Sequence, residues 1–274
     1  MRLCTFRPRA GGPAGPGRLD GATVRRLAAP TLLDHLADPD RWPADPGPAL
    51  PLADVHLLAP VPRPPSIRDF FAFEAHVATT RARRGAQVPS EWYQIPVFYF
   101  TNPAAVVGPD ATVAYPDGTA ELDYELEVAA VIGAGGAIAG FTVMNDWSAR
   151  DLQRLETRVG LGPAKGKDFA TSLGPVLVTV DEFDGATAAM VARVNGEERS
   201  RGNLADLYHP WPALLAQAAR NTELRPGDVL GSGTVGTGCI LEHGDGRWLR
   251  PGDLVELEVA GIGVLSNRIG PRRP

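Results

Sequence analysis

Glu125 and Glu127 stand one residue apart before an uncharged run from Val128 to Asn145, and Asp146 closes that run. Alternate side chains of an extended strand share a face, so the two glutamates point the same way, with Asp123 beside them. The run is long enough to raise a membrane-spanning helix. Yet Gly133, Gly135, Gly136 and Gly140 interrupt it, and β-branched residues cluster at both ends. Two strands folded about Gly135 suit this pattern better. Such a hairpin sets Glu127 opposite Val143 and Glu125 opposite Asn145, and brings Asp146 next to both glutamates. Carboxylates crowded together repel unless a cation lies among them. A hard divalent-metal site is therefore the expected chemistry, with a solvated strand edge as the plainer alternative.

Other residues could work beside it. Ser66-Ile67-Arg68-Asp69 matches a capping box, predicting a helix over Ser66–Arg84 with Asp69 at its third position. His76 follows seven residues later, on nearly the same helical face and about 10 Å along the axis. Phe70, Phe71 and Phe73 supply an apolar wall on which a histidine's pKa is tunable. A second helix is predicted over Ser148–Val159, capped by Ser148 with Asp151 as box partner. Arg150 and Gln153 then fall near its N-terminus, where they offer donors to an anionic oxygen. Lys167, between Gly166 and Asp168, reads either as a positioned ammonium or as a loop charge. Gly231 to Gly236 spells the dinucleotide fingerprint, but Cys239–Glu242 reads as a strand and Gly244–Gly246 as a turn. The helix that a dinucleotide site needs is missing, and that reading is rejected.

These residues must be positioned by short elements, because 26 prolines and 31 glycines interrupt a chain of 274 residues. Strands are predicted at Arg2–Phe6, Pro175–Val180, Ala188–Val194 and Asp253–Val259, with a loop at Gly11–Gly17. Further helices are predicted at Thr31–Leu36 and Trp211–Asn221. Proline-dense connectors at Pro43–Pro51 and Pro60–Pro65 divide a small N-terminal domain, 1–60, from a β-rich domain, 61–274. The net charge of −5 argues against a nucleic-acid partner. The basic end (Arg268, Arg272, Arg273) reads as a solvated tail. Met1–Ala10 lacks a signal-peptide core, which leaves a cytoplasmic, non-membrane protein as the default. Cys4 and Cys239 make neither a disulfide framework nor a zinc spacing.

Five blocks in order carry a family resemblance: Asp69-Phe70-Phe71 with His76, Asp123 to Glu127, Met144 to Gln153, Gly166 to Phe169 with Thr171, and Ser232-Gly233-Thr234. From about Pro60 to Gly270 the chain resembles the fumarylacetoacetate hydrolase family. The resemblance implies an α+β, mainly β fold, a homodimer, and Mg²⁺ or Ca²⁺, with Mn²⁺ as a further candidate. It implies Asp69, Glu125, Glu127 and Asp146 as metal ligands and His76 as general base, oriented by Glu242. Arg150, Gln153 and Lys167 match oxyanion-stabilising groups, while Phe71, Tyr99, Gly233 and Thr234 match the substrate pocket. Phe71 and Thr157 replace two pocket tyrosines of the tyrosine-degradation hydrolase, pointing to a less polar distal end of the substrate. The hairpin turn is also shorter than in many bacterial relatives.

The main reading is a metal-dependent hydrolase that cleaves a C–C bond in a 1,3-dioxo acid, an acylpyruvate or fumarylacetoacetate-like diketo acid. The alternative is a decarboxylase or isomerase of a 2-oxo dicarboxylate using the same enolate chemistry. A non-catalytic metal- or carboxylate-binding protein is the reading from another class.

Overall fold

Frequent glycines and prolines cut this chain into short strands that pair across long sequence distances. The structure, a computed structural model, describes residues 1–42 and 47–272. The Pro43–Pro46 part of the expected connector and Arg273 of the basic tail lie outside the described residues. The chain begins with strands β1 (Arg2–Pro8), β2 (Gly15–Asp20) and β3 (Thr23–Arg26), helix α1 (Leu32–Ala37), and strands β4 (Leu50–Pro51) and β5 (Val55–Leu58). Next come β6 (Ile67–Phe70), α2 (Glu74–Ala82), β7 (Phe98–Thr101), β8 (Val106–Val107), β9 (Thr112–Tyr115) and β10 (Leu122–Asp123). The acidic hairpin is β11 (Leu126–Ile132) and β12 (Ile138–Asp146), followed by β13 (Ser148–Ala149) and α3 (Arg150–Thr157). β14 (Thr171–Thr179), β15 (Ala189–Val194), β16 (Glu197–Asn203) and α4 (Trp211–Ala219) lead to β17 (Val229–Gly231). The last elements are α5 (Ile240–His243), β18 (Leu254–Val259) and β19 (Gly263–Arg272).

Among the described residues, twelve strands form one sheet. Its order is β4-β3-β2-β1-β14-β12-β11-β17-β6-β7, with β5 on β1 and β8 on β14. A five-stranded sheet, β16-β15-β18-β19-β9, and the pair β10-β13 complete an α+β, mainly β fold. Phe141, Val143 and Val176 from the large sheet, with Trp147 just past β12, share one core with Leu257 and Leu265 from the smaller. β11 lies between β12 and β17 and is buried along its whole length. This burial explains the uncharged run, since a strand covered on both faces tolerates only charges that are matched.

The hairpin turns where expected, with Gly135 and Gly136 at φ 65° and 75°, a left-handed geometry that favours glycine. Its register needs one correction. Ile132 pairs with Ile138, but Val131 pairs with Gly140, so a bulge at Ala139 shifts everything beyond it by one residue. Glu127 therefore faces Met144 rather than Val143, and Leu126 rather than Glu125 faces Asn145.

The predicted Ser66–Arg84 helix is corrected too. Its first turn is β6, fully buried, parallel to β17 and antiparallel to β7, and helix begins only at Glu74. Sheet pairing has overridden a local capping signal. Ser148 is likewise not a cap. It lies in β13 and donates to the Asp146 carbonyl at 3.0 Å, while Ala149 is the N-cap of α3. Asp151 instead accepts from Thr119 and the Ala120 N–H. Cys239–Glu242 holds the start of α5 rather than a strand. Gly15–Gly17 belongs to β2 rather than a loop, and Gly17 packs where a Cβ would meet the Phe6 ring at 2.7 Å.

Candidate active site

Asp69 comes from β6, Glu127 from β11, Asp146 from the end of β12, and Glu125 from just before β11. One carboxylate oxygen from each lies within 4.8 Å of the others, and all four residues are buried. Asp69 is the register partner of Gly231 on β17, where any Cβ would overlap Asp69 Oδ1. A strand glycine here permits the close approach.

Two buried cations enter the cluster. Lys167 Nζ donates to both Glu125 and Asp146. Arg150 donates Nη2 to Glu125 Oε1 and Nε to Asp123 Oδ2, each at 2.8 Å. Asp123 also accepts the Ile240 and Leu241 N–H groups at 2.7 and 3.0 Å, closing the N-terminus of α5. It thus ties Arg150 to α5 instead of joining the metal-type cluster, which corrects the expectation that it would stand beside the glutamates. Glu127 accepts from the Gly233 N–H at 3.1 Å and from Thr234 Oγ1 at 3.4 Å, and Tyr99 donates to Asp146.

Burial, reinforced by the neighbouring Asp146, pushes the Asp69 carboxyl well above the usual range. Burial and Asp69 do the same to Glu127, and burial raises Asp146 although Lys167 opposes it. For Glu125 burial also acts upward, but Arg150 and Lys167 outweigh it and hold the carboxyl below its usual range. Asp69 Oδ1, Asp146 Oδ1 and Thr171 Oγ1 are buried without a hydrogen-bond partner among the described residues. A crowded, all-oxygen donor set with orphaned oxygens fits a hard divalent cation such as Mg²⁺, Ca²⁺ or Mn²⁺, and lacks the nitrogen or sulfur that favours zinc.

His76, buried on α2, meets the cluster from a different element than Asp69, not from one helical face. Its Nδ1 approaches Glu242 Oε2 of α5 to 3.1 Å, yet the two are misaligned for a hydrogen bond. Phe71 packs edge-on against the His76 ring, with centroids 5.2 Å apart. The expected apolar wall is therefore in place.

A cavity of about 490 Å³ opens above these groups. Asp69, Phe71, His76, Tyr99, Glu125 and Glu127 line it, as do Arg150, Gln153, Lys167, Gly233 and Thr234. Of the metal-ligand, catalytic and pocket residues implied by the family resemblance, Asp146 and Glu242 are the two that do not line it. Arg150 and Lys167 are tied to carboxylates, which leaves a different free donor. Gln153 Oε1 accepts from Arg150 Nη1 at 3.2 Å, so the amide NH₂ of Gln153 is turned away from the guanidinium. Two arginines at the mouth complete the lining. Arg81 is half-buried and Arg84 exposed, and among the described residues neither guanidinium has a hydrogen bond or ion pair. Burial and the positive field of Arg81 and Arg150 even lower the Arg84 pKa. No sequence motif marks these arginines, and none marks Cys239, whose Sγ lies 3.6 Å from Glu242 Oε2. The C-x-x-E spacing was a signal only for a reader expecting a helix there.

A family model described as fumarylacetoacetate (FAA) hydrolase, C-terminal, matches residues 66–270. The chain belongs to the fumarylacetoacetate hydrolase family. A second model, Rv2993c-like, N-terminal, matches residues 1–60. Over 236 residues the chain is 31% identical to the oxaloacetate tautomerase YisK of Bacillus subtilis, covering 80% of this chain and 74% of that protein. A 5-carboxymethyl-2-hydroxymuconate delta-isomerase from Mycobacterium smegmatis superposes with a TM-score of 0.77 at 29% identity, covering 99% of this chain and all of the other. The fumarylacetoacetate hydrolase EaFAH of Exiguobacterium antarcticum gives the same TM-score at 27% identity, with the same coverage. Enzymes of the fumarylacetoacetate hydrolase family are typically divalent-metal dependent, and the buried acidic cluster provides for such an ion.

Proposed function

We propose that this fumarylacetoacetate hydrolase-family protein is a divalent-metal-dependent tautomerase or isomerase of a 2-oxo dicarboxylate. The observation that carries the substrate class is the pairing, in one cavity, of a buried carboxylate cluster with two arginines that have no acidic partner among the described residues. The cluster suits an ion that attracts a 2-oxo acid, and Arg81 with Arg84 suits a second carboxylate. This shifts the expectation drawn from Phe71 and Thr157 away from a neutral tail. Two of the three named relatives, a tautomerase and an isomerase, support enolate chemistry over the hydrolytic reading favoured by the motifs alone, while the third is named a hydrolase.

Asp69, Glu125, Glu127 and Asp146 would hold the ion, which when bound supplies Lewis acidity that makes the C–H beside the carbonyl easier to ionise. His76 Nε2, the ring nitrogen away from Glu242, takes that proton and returns it at the other end of the enol system. Glu242, 3.1 Å from Nδ1, keeps the imidazole oriented. Gln153 donates its free amide hydrogens to oxygen bearing developing charge. The Phe71 ring shields the His76 imidazole from bulk water.

A second reading, C–C hydrolysis of an acylpyruvate-like acid, has one observation in its favour. His76 leans on Glu242 from a separate helix, an arrangement equally suited to taking a proton from water. Oxaloacetate and acylpyruvates, followed by proton NMR in D₂O with Mg²⁺ present, separate the two. The proposal expects catalysed keto–enol conversion with deuterium uptake at the carbon beside the carbonyl, and the carbon chain left intact. Acylpyruvate cleavage without such exchange would replace it by the hydrolase reading.

A further inference from the structure

Beside the carboxylate cluster stands a second constellation with different donor chemistry. One ligand atom from each of His76, Glu242 and Cys239 lies within 4.8 Å of the others, and all three residues are buried. The nitrogen–oxygen distance is 3.1 Å and the sulfur–oxygen distance 3.6 Å. Tetrahedral zinc with ordinary bond lengths places such ligand pairs about 3.3 and 3.5 Å apart. His76 Nδ1 is moreover a buried nitrogen with no hydrogen-bond partner among the described residues. A nitrogen, a sulfur and one carboxylate oxygen favour zinc-like ions over Mg²⁺ or Ca²⁺.

We propose that His76, Cys239 and Glu242 form a second, thiophilic metal site, and that Zn²⁺ bound there switches the enzyme off. Binding replaces the Cys239 thiol proton, which is released to solvent, and takes the lone pair of neutral His76 at Nδ1. The imidazole proton then resides on Nε2, the ring nitrogen away from Glu242. A nitrogen carrying its proton has no lone pair with which to accept another, so His76 ceases to be a base. The carboxylate cluster keeps its own ion throughout. The inhibitory half of this inference rests on His76 being the base proposed above, whereas metal uptake through Cys239 does not.

The test uses the full chain saturated with Mg²⁺ and titrated separately with Co²⁺ and Zn²⁺. Co²⁺ should produce a thiolate-to-cobalt charge-transfer absorbance in the wild type and none in Cys239→Ser. Zn²⁺ should abolish oxaloacetate tautomerisation in the wild type. Cys239→Ser should turn over normally with Mg²⁺, and inhibiting it should take at least ~10-fold more Zn²⁺, since even peripheral losses at metal sites weaken binding about 10–100-fold. Absence of the thiolate band in the wild type would overturn the site. Equal zinc sensitivity of the two proteins would overturn the switch. If no substrate is turned over, the function proposed above fails, and the cobalt band still decides the site.

Discussion

Gly231 lies directly against Asp69, its register partner across the parallel pair β17 and β6, with no room for a methyl group between them. A neutral glycine therefore governs where a candidate metal ligand sits. Gly231→Ala should cost about 1–3 kcal/mol through overpacking. It should also weaken divalent-ion affinity by at least ~10-fold, because Asp69 must rotate away from Glu127 and Asp146. Calorimetric titration with Mn²⁺, alongside a denaturant melt, checks both. Wild-type affinity in a folded variant would show that Asp69 does not need this seat.

The carboxyl pKa directions set how an ion should stabilise the fold. Asp69 and Glu127 are raised, so the folded protein holds protons that the unfolded chain has already released above about pH 4. Metal-free stability should thus fall as pH rises from that range towards the raised values. Glu125 is lowered and acts in the opposite sense, its contribution being lost only as pH falls. With Asp146 also raised, the upward-shifted groups prevail. The increase in melting temperature on adding Mg²⁺ should be larger at roughly pH 8 than at roughly pH 5.5. A pH-independent increment would mean that the cluster does not bind the ion.

His76→Ala should keep Mn²⁺ affinity while losing about 10²–10⁴-fold in turnover, the usual contribution of a general base. Glu242→Gln, which keeps the shape but removes the charge facing Nδ1, should lower kcat more than it changes KM. Isothermal titration together with the NMR exchange assay gives both quantities. Unchanged kcat in His76→Ala would remove the histidine from the proton path.

Arg81→Ala and Arg84→Ala should raise KM for a dicarboxylate with little change in kcat. Charge-assisted hydrogen bonds of about 1.5–3 kcal/mol correspond to roughly 10–100-fold in kcat/KM. A neutral-tailed substrate should lose far less. Equal losses on both substrates would show that the arginines do not read the distal carboxylate.

The parts of the site that were legible in the sequence were those carried by local patterns. Glu125, Glu127 and Asp146 belong to one hairpin whose glycines announce the turn, and only the Ala139 bulge, invisible in composition, displaced the register. Asp69 was named as a ligand but put on the wrong element. The capping pattern at Ser66–Asp69 is local, whereas the strand that claims Ile67–Phe70 lies at Val229–Gly231, far along the chain. The family blocks supplied His76 and Glu242 as partners, and periodicity alone gave no hint of their meeting. Cys239 escaped because on a strand it would point away from Glu242, while on the single turn of α5 the two turn inward together. No local pattern aims Arg81 or Arg84 at the cavity, since a helix end fixes direction only once its neighbours are known.

Asp123 has a bearing on how such a protein can diversify. It holds Arg150, which holds Glu125, and it also anchors the helix that presents Glu242. The ion-attracting half and the proton-moving half are thereby inherited as one piece, and a change to either disturbs the other. Across the cavity, Arg83 ties the end of α2 to the Glu242 carbonyl at 2.7 Å, but among the described residues the Arg81 and Arg84 guanidinium groups carry no such tie. Arg81 lies in the last turn of α2 and Arg84 just beyond it, and Gly162 with Pro163 follow the exposed Val159 and Leu161 beyond α3. Descendants can exchange those wall residues one at a time, altering which acid is admitted while the chemistry beneath stays the same.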